Sequence, residues 1–291
     1  MTAVGFVGLG AMGGRIAARL LASGHQVHGT NRSPAKAVPL VERGLVWHDT
    51  PREVARAAEV IFSMVTDDAA LEAIASGSDG ILAGLSPGKL YVDMSTVSPH
   101  LSRDLAENAR ALGVEMLDAP VSGSLPAAED GSLTIMVGGT EKAFAQVEPT
   151  LHELGSRVIR IGENGRGLLM KLAVNIGLAE QMLAFSEGVL LAEKGGIDRE
   201  LAVDVLMQSA VGSPMLKTRG PLVLALPKQA LFDVSLMRKD LHLALDAAGT
   251  LDVPLPTAAA AQQLFTAAGA MGYEHEDMAV VYEVLAEMGG Q

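Results

Sequence analysis

Residues 4–24 read VGFVGLGAMGGRIAARLLASG, and this stretch decides the fold. An apolar run comes first. Gly8, Gly10 and Gly13 follow at G-x-G-x-x-G spacing, with Leu9, Ala11 and Met12 between them, and an amphipathic helical pattern then runs to Gly24. Each glycine has a separate physical task in such a unit. The first permits a tight turn, the second lets backbone approach a pyrophosphate, and the third lets helix and strand pack closely. The helix N-terminus then faces the phosphates with its unpaired N–H groups. Spacing alone is a weak signal in a chain where 32 of 291 residues are glycine, and a chance glycine turn is the plain alternative. The strand before the motif and the helix after it make it specific.

Outward from this unit, the first half alternates short apolar runs with helical patterns, the mark of βαβ units. The runs are QVHGTN (26–31), EVIFSMV (59–65), KLYVDMS (89–95), EMLDAPVSG (115–123) and LTIMVGG (133–139). The pattern fades at about Arg160. Beyond it GLLMKLAVNIGLAEQMLAFSEGVLLAE (167–193) is apolar nearly all round, so a helix there must be covered on most sides. DRELAVDVLMQSA, MRKDLHLALDAAG and TAAAAQQLFTAAGAMG read as further helices. The expected organisation is an α/β doubly wound dinucleotide-binding domain over 1–162, a long interdomain helix over 163–194, and an all-helical substrate and oligomerisation domain over 195–291.

Composition narrows the function classes. Nearly half the residues are hydrophobic and only 3% are aromatic, which suits helices packed on a parallel sheet. A net charge of -12 argues against nucleic acid or an anionic membrane as partner. With no cysteine, disulfides, thiolate metal sites and cysteine nucleophiles are excluded together. The histidines have no metal-ligand spacing, and no metal is expected. The N-terminal run lacks a basic n-region and reads as a strand rather than a signal peptide. No uninterrupted apolar run reaches the length of a membrane span. These features together predict a soluble, cytoplasmic protein.

At the end of the second strand, GTNRSP sets Arg32 where an NAD enzyme presents an acid to the ribose 2′-hydroxyl. Arginine flanked by Asn31 and Ser33 suits a 2′-phosphate instead, so NADP is expected ahead of NAD. A surface arginine after a strand is the bland reading. Lys171 stands alone on the apolar helix, one turn before Asn175 on the same face. Lysine stems often lie along apolar surface with the ammonium in water. A lysine buried on such a helix has its pKa lowered toward acid/base work.

VGFVGLGAMG, VDMSTVSP, DAPVSGS, GRGLLMKLAVN and LMRKDLHLA occur in the order seen in the β-hydroxyacid dehydrogenases, which the chain resembles along nearly its whole length. That group includes 3-hydroxyisobutyrate dehydrogenases, tartronate semialdehyde reductases and glyoxylate/succinic semialdehyde reductases. The resemblance implies hydride exchange between a nicotinamide cofactor and a small carboxylate substrate, with Lys171 as general acid/base. Asn175 matches the second asparagine of the family's K-x-x-N-N motif, and Val174 stands where the first is usual. Ser122 and Gly123 match the loop that holds the substrate carboxylate, with Ser124 in place of the usual second glycine. Thr96, beside Ser95, matches the residue near the nicotinamide ribose, and Met64 and Val65 the stretch along the adenosine side. Lys239 and Asp240 match the pair that closes the site, with Phe232 as a pocket wall. Arg15 departs from the usual proline.

Two other functions share parts of this pattern. An imine reductase has the same architecture and uses NADP, but usually carries another residue at the lysine position. A non-catalytic dehydrogenase-like interaction module would not need Lys171, Asn175 and the glycine motif. The apolar helix also predicts a homodimer or homotetramer with helices buried between subunits.

Overall fold

The computed structural model describes residues 3–290, which divide into two compact units meeting within one helix, at Lys171 and Leu172. The first unit is built on a nine-stranded sheet. Its strands are β1 (Ala3–Val7), β2 (Gln26–Thr30), β3 (Val46–Trp47), β4 (Val60–Ser63), β5 (Leu90–Asp93), β6 (Glu115–Asp118), β7 (Val121–Ser122), β8 (Thr134–Gly138) and β9 (Arg157–Gly162). The order β3-β2-β1-β4-β5-β6 is parallel throughout and is that of a doubly wound dinucleotide fold. β8 joins β6 antiparallel, β7 folds back on β8, and β9 runs parallel to β8.

Helices cover both faces, and the strands record this residue by residue. Phe6, Phe62 and Val92 enter one core with Ile16 and Leu20 of helix Ala11–Ala22. Their neighbours Val7, Ile61 and Tyr91 enter the other, with Val54, Leu71 and Leu105. Successive side chains on a strand point to opposite faces, so strands buried on both faces read as unbroken apolar runs.

EMLDAPVSG is two strands rather than one. Pro120 cannot donate to a ladder, and the chain breaks there between β6 and β7. β3 is only two residues long, and β9 sets half-buried Val158 and Ile159 between Arg157 and Arg160; neither carries an apolar run to find.

The second unit is helical. Its core gathers Met182, Phe185 and Val189 of helix Arg166–Lys194, Met237 and Leu241 of helix Val234–Thr250, Ala261 and Phe265 of helix Pro256–Ala270, and Tyr282 of helix Val281–Met288. Alanines at 258, 261 and 268 are fully buried, which lets helix backbones approach closely. By length and composition, helix Arg166–Lys194 is apolar enough to cross a membrane, yet it sends side chains into a protein core and carries Lys171, Glu180 and Glu187. Its cover is incomplete: Met170, Val174 and especially Leu191, at 77%, are exposed.

Candidate functional site

In the first unit the strand order reverses between β1 and β4, and the residues singled out in the sequence lie along the C-terminal edge there. Gly8 has φ +98°, and a Cβ on it would stand 2.2 Å from the Met64 carbonyl oxygen. A Cβ on Gly13 would stand 2.0 Å from the Gly8 carbonyl oxygen. Packing within the protein therefore demands both glycines. Gly10 differs, since nothing lies within 4 Å of the Cβ it lacks. It occupies the N-cap of helix Ala11–Ala22, and no side chain caps that end. Open space over an uncapped helix N-terminus fits a pyrophosphate.

Asn31 has a structural task. Its carboxamide oxygen accepts from the Leu9 N–H at 3.0 Å and its amide donates to the Ser33 carbonyl at 3.0 Å, tying the glycine loop to the loop after β2. Arg32 and Ser33 are exposed beside it. A cavity of about 420 Å³ opens over Leu9, Gly10 and Ala11 and continues past Arg15, Lys36 and Arg43.

The Met64 N–H donates to the Val7 carbonyl at 2.9 Å, and the Val65 N–H donates to Ser95 Oγ at 2.9 Å. Ser95 in turn donates to the Asp93 carboxylate at 2.7 Å, as does Ser63 at 2.6 Å. Asp93 is fully buried, and burial pushes its carboxyl up to about 6 although the two hydroxyls and the Ser95 N–H pull the other way. So Ser95 ties the loop after β4 to the loop after β5, with half-buried Thr96 next to it.

Just past β6, Ser122 is half-buried and Gly123 has φ +143°, where a Cβ would stand 2.8 Å from Leu133. Only glycine is comfortable there. Ser124, at φ -93° and ψ -178°, has ordinary extended backbone, so a serine sits at this position without strain.

Lys171 is half-buried on helix Arg166–Lys194. One turn on, in the second unit, Asn175 is 1% exposed and its amide donates to Asp240 Oδ2 at 2.5 Å. Lys239 Nζ lies 2.8 Å from the other Asp240 oxygen. Asp240 itself is 2% exposed, so it acts on Asn175 and Lys239 rather than standing open. Phe232 is half-buried, with its N–H held by Asp277 at 3.2 Å. Val174 is exposed at 40%.

Sequence reasoning missed the carboxylates that hold these parts. Asp93, Asp118 and Asp277 are fully buried and collect hydrogen bonds from serine hydroxyls, backbone N–H groups and Arg219. For Asp93 and Asp118 the available signal was an acid closing a short, largely apolar strand, in LYVD and EMLD.

Residues 3–162 match the family described as the NAD binding domain of 6-phosphogluconate dehydrogenase. Residues 165–285 match the NAD-binding family of NADP-dependent 3-hydroxyisobutyrate dehydrogenase. The 2-hydroxy-3-oxopropionate reductase of Escherichia coli is 37% identical, over 98% of this chain and 97% of its own. The chloroplastic glyoxylate/succinic semialdehyde reductase 2 of Arabidopsis thaliana is 36% identical, over 97% of this chain and 79% of its own. Among solved structures, Psf3 in complex with NADP+ and 2-OPP superposes with a TM-score of 0.89 at 29% identity, covering 97% of this chain and 99% of its own.

Proposed function

This chain belongs to the β-hydroxyacid dehydrogenase family, and from that premise we propose that it is an NADP-dependent reductase of a small aldehyde or oxo acid with Lys171 as general acid/base. The observation that carries the reading is a half-buried lysine one helical turn before a buried asparagine that a buried carboxylate holds in place. The bound nicotinamide supplies the hydride in reduction and accepts it in oxidation. Lys171, as ammonium, donates a proton to the substrate oxygen in reduction and takes it back as the neutral amine in oxidation. Asn175, fixed by Asp240, orients the polar groups of that helix face. The Ser122 hydroxyl and the Gly123 N–H hold the substrate carboxylate, and Phe232 and Lys239 are read as substrate-binding residues. Leu9–Gly13, Met64, Val65, Ser95 and Thr96 line the cofactor.

The substrate class follows the relatives: semialdehydes and 2-oxo acids of a few carbons. A panel of glyoxylate, succinic semialdehyde, tartronate semialdehyde, methylmalonate semialdehyde and cyclic imines, each with NADPH and NADH, identifies it. The protein is read as cytoplasmic. It is also read as a homodimer or homotetramer, with Leu191, Ile197, Leu201 and Val205 among the apolar side chains left exposed. A monomer in sedimentation at micromolar concentration would count against the oligomer.

Lys171→Ala is expected to lower turnover by roughly two to four orders of magnitude while NADPH still binds. Lys171→Met, which keeps the stem and removes the charge, is expected to match it. Near-wild-type turnover in either removes the assignment. Arg32 is tested separately by fluorescence titration of both cofactors. A guanidinium offers a 2′-phosphate charge-assisted, bidentate contact worth about 1.5–3 kcal/mol, so NADPH should bind at least about tenfold tighter than NADH. Arg32→Asp should abolish that preference and retain NADH, and an unchanged ratio would make Arg32 a bystander.

A further inference from the structure

We propose that Asp118 is a positioning residue for the reaction: its carboxylate fixes the first turn of the lysine-bearing helix to the sheet edge from which the Ser122–Gly123 turn also springs. The inference rests on the reading of Lys171 as the acid/base, and all of its geometry lies within the first unit. Asp118 is the last residue of β6 and is fully buried. One of its oxygens accepts the Gly165 N–H at 2.7 Å and the other the Leu168 N–H at 3.0 Å. Beside them the Asn164 amide donates to the Met116 carbonyl of β6 at 2.7 Å.

The slot that receives this carboxylate is cut by missing side chains. A Cβ on Gly138, its register partner on β8, would stand 2.5 Å from the carboxylate. A Cβ on Gly167 would stand 2.9 Å from it and 2.4 Å from the Met136 carbonyl oxygen. The first helical turn thus lies directly on the strand ends, and Asp118 pairs N–H groups that a helix N-terminus otherwise leaves unpaired. A negative charge there is also favoured by the helix dipole. Lys171 follows Leu168 by three residues on the same rigid helix. Four residues after Asp118 along the chain comes Ser122. The carboxylate therefore fixes the start of the proton donor's helix at the strand end that leads, four residues on, into the carboxylate-holding turn. Burial raises the Asp118 carboxyl above its usual range, and the backbone N–H groups oppose that shift.

Asp118→Asn keeps the shape but turns one acceptor into a donor that faces an N–H. Turnover per NADPH-binding site is expected to fall about ten- to a hundredfold, with NADPH affinity within about twofold, because the glycine loop is untouched. Gly167→Ala, which adds only the Cβ, should give the same split and decides the matter if the asparagine variant does not fold. In a Lys171→Ala background, Asp118→Asn should add less than about twofold. Wild-type turnover per site in a folded variant would overturn the proposal, as would equal loss of turnover and NADPH affinity, the mark of a merely structural role. If Lys171→Ala retains turnover, the lysine reading itself falls. If Lys171→Ala loses turnover and Asp118→Asn does not, only the positioning role falls.

Discussion

The two units surround their buried carboxylates with different partners. In the first, Asp93 is held by the hydroxyls of Ser63 and Ser95, and Asp118 by backbone N–H groups. In the second, Asp277 meets Arg219 at 3.2 Å and Asp240 meets Lys239 at 2.8 Å. The difference follows from what each acid ties together. Asp93 and Asp118 close adjacent strands in register, where the loops that leave the sheet turn their N–H groups and hydroxyls back toward the strand ends. The acids of the second unit take hydrogen bonds as well, from the Asn175 amide and from the N–H groups of Leu231, Phe232 and Ala279, but each also has a cation beside it. Hydrogen bonds without a countercharge leave burial dominant, and the carboxyls of Asp93 and Asp118 are both pushed up.

The sharpest break of this comparison is Asp277→Ala. Asp277 is fully buried, and besides Arg219 it accepts the N–H groups of Leu231, Phe232 and Ala279. Removing it leaves the guanidinium, 8% exposed as a residue, without its partner. Loss of one member of a buried pair costs about 3–5 kcal/mol, which urea unfolding would read directly. The double change Arg219→Met with Asp277→Leu should recover the part due to the uncompensated guanidinium, while the N–H groups of Leu231, Phe232 and Ala279 stay without their acceptor. A single variant that loses less than about 1 kcal/mol would show that the pair carries no weight.

The comparison also marks what the sequence made legible. The glycine loop was readable because each glycine has a spacing and a neighbour type, and the packing around Gly8 and Gly13 explains both. Arg32 stood out as an arginine where an acid is usual, and Lys171 as a lysine inside an apolar helical run. Asn31 was singled out for the cofactor, yet its carboxamide fastens Leu9, a contact spanning 22 residues that no local pattern announces. The bond from Asn175 to Asp240 spans 65 residues and was equally silent, although both residues were named. Asp93 and Asp118 stayed hidden for another reason. An aspartate after an apolar run looks like an ordinary turn residue, and only the folded chain shows that it is fully buried. The apolar helix 167–193 predicted cover on most sides, and Leu191, at 77% exposed, departs from that expectation.

The smaller effect tests the first unit through pH. Asp93 is fully buried, with one oxygen taking both serine hydroxyls and the other without a hydrogen-bond partner among the described residues, an environment that favours the neutral acid. Its carboxyl sits at about 6 in the folded protein, against an ordinary value of 3.8. Between those values the folded state binds more protons than the unfolded state, so stability falls as pH rises from about 4 to about 6 and levels off above that. Asp93→Asn cannot titrate, and its buried amide carries the same burden at every pH. Each tenfold difference in proton affinity between the two states is worth about 1.4 kcal/mol. The stability of the variant relative to wild type should therefore improve by about 2 kcal/mol between about pH 4.5 and about pH 7.5. The sign is the decisive part. Urea midpoints at several pH values measure the difference while cancelling every group the two proteins share. A flat difference would mean that the serine hydroxyls and the Ser95 N–H already accommodate the charge in full. The contrast between hydrogen-bonded and cation-paired acids would then be one of geometry alone.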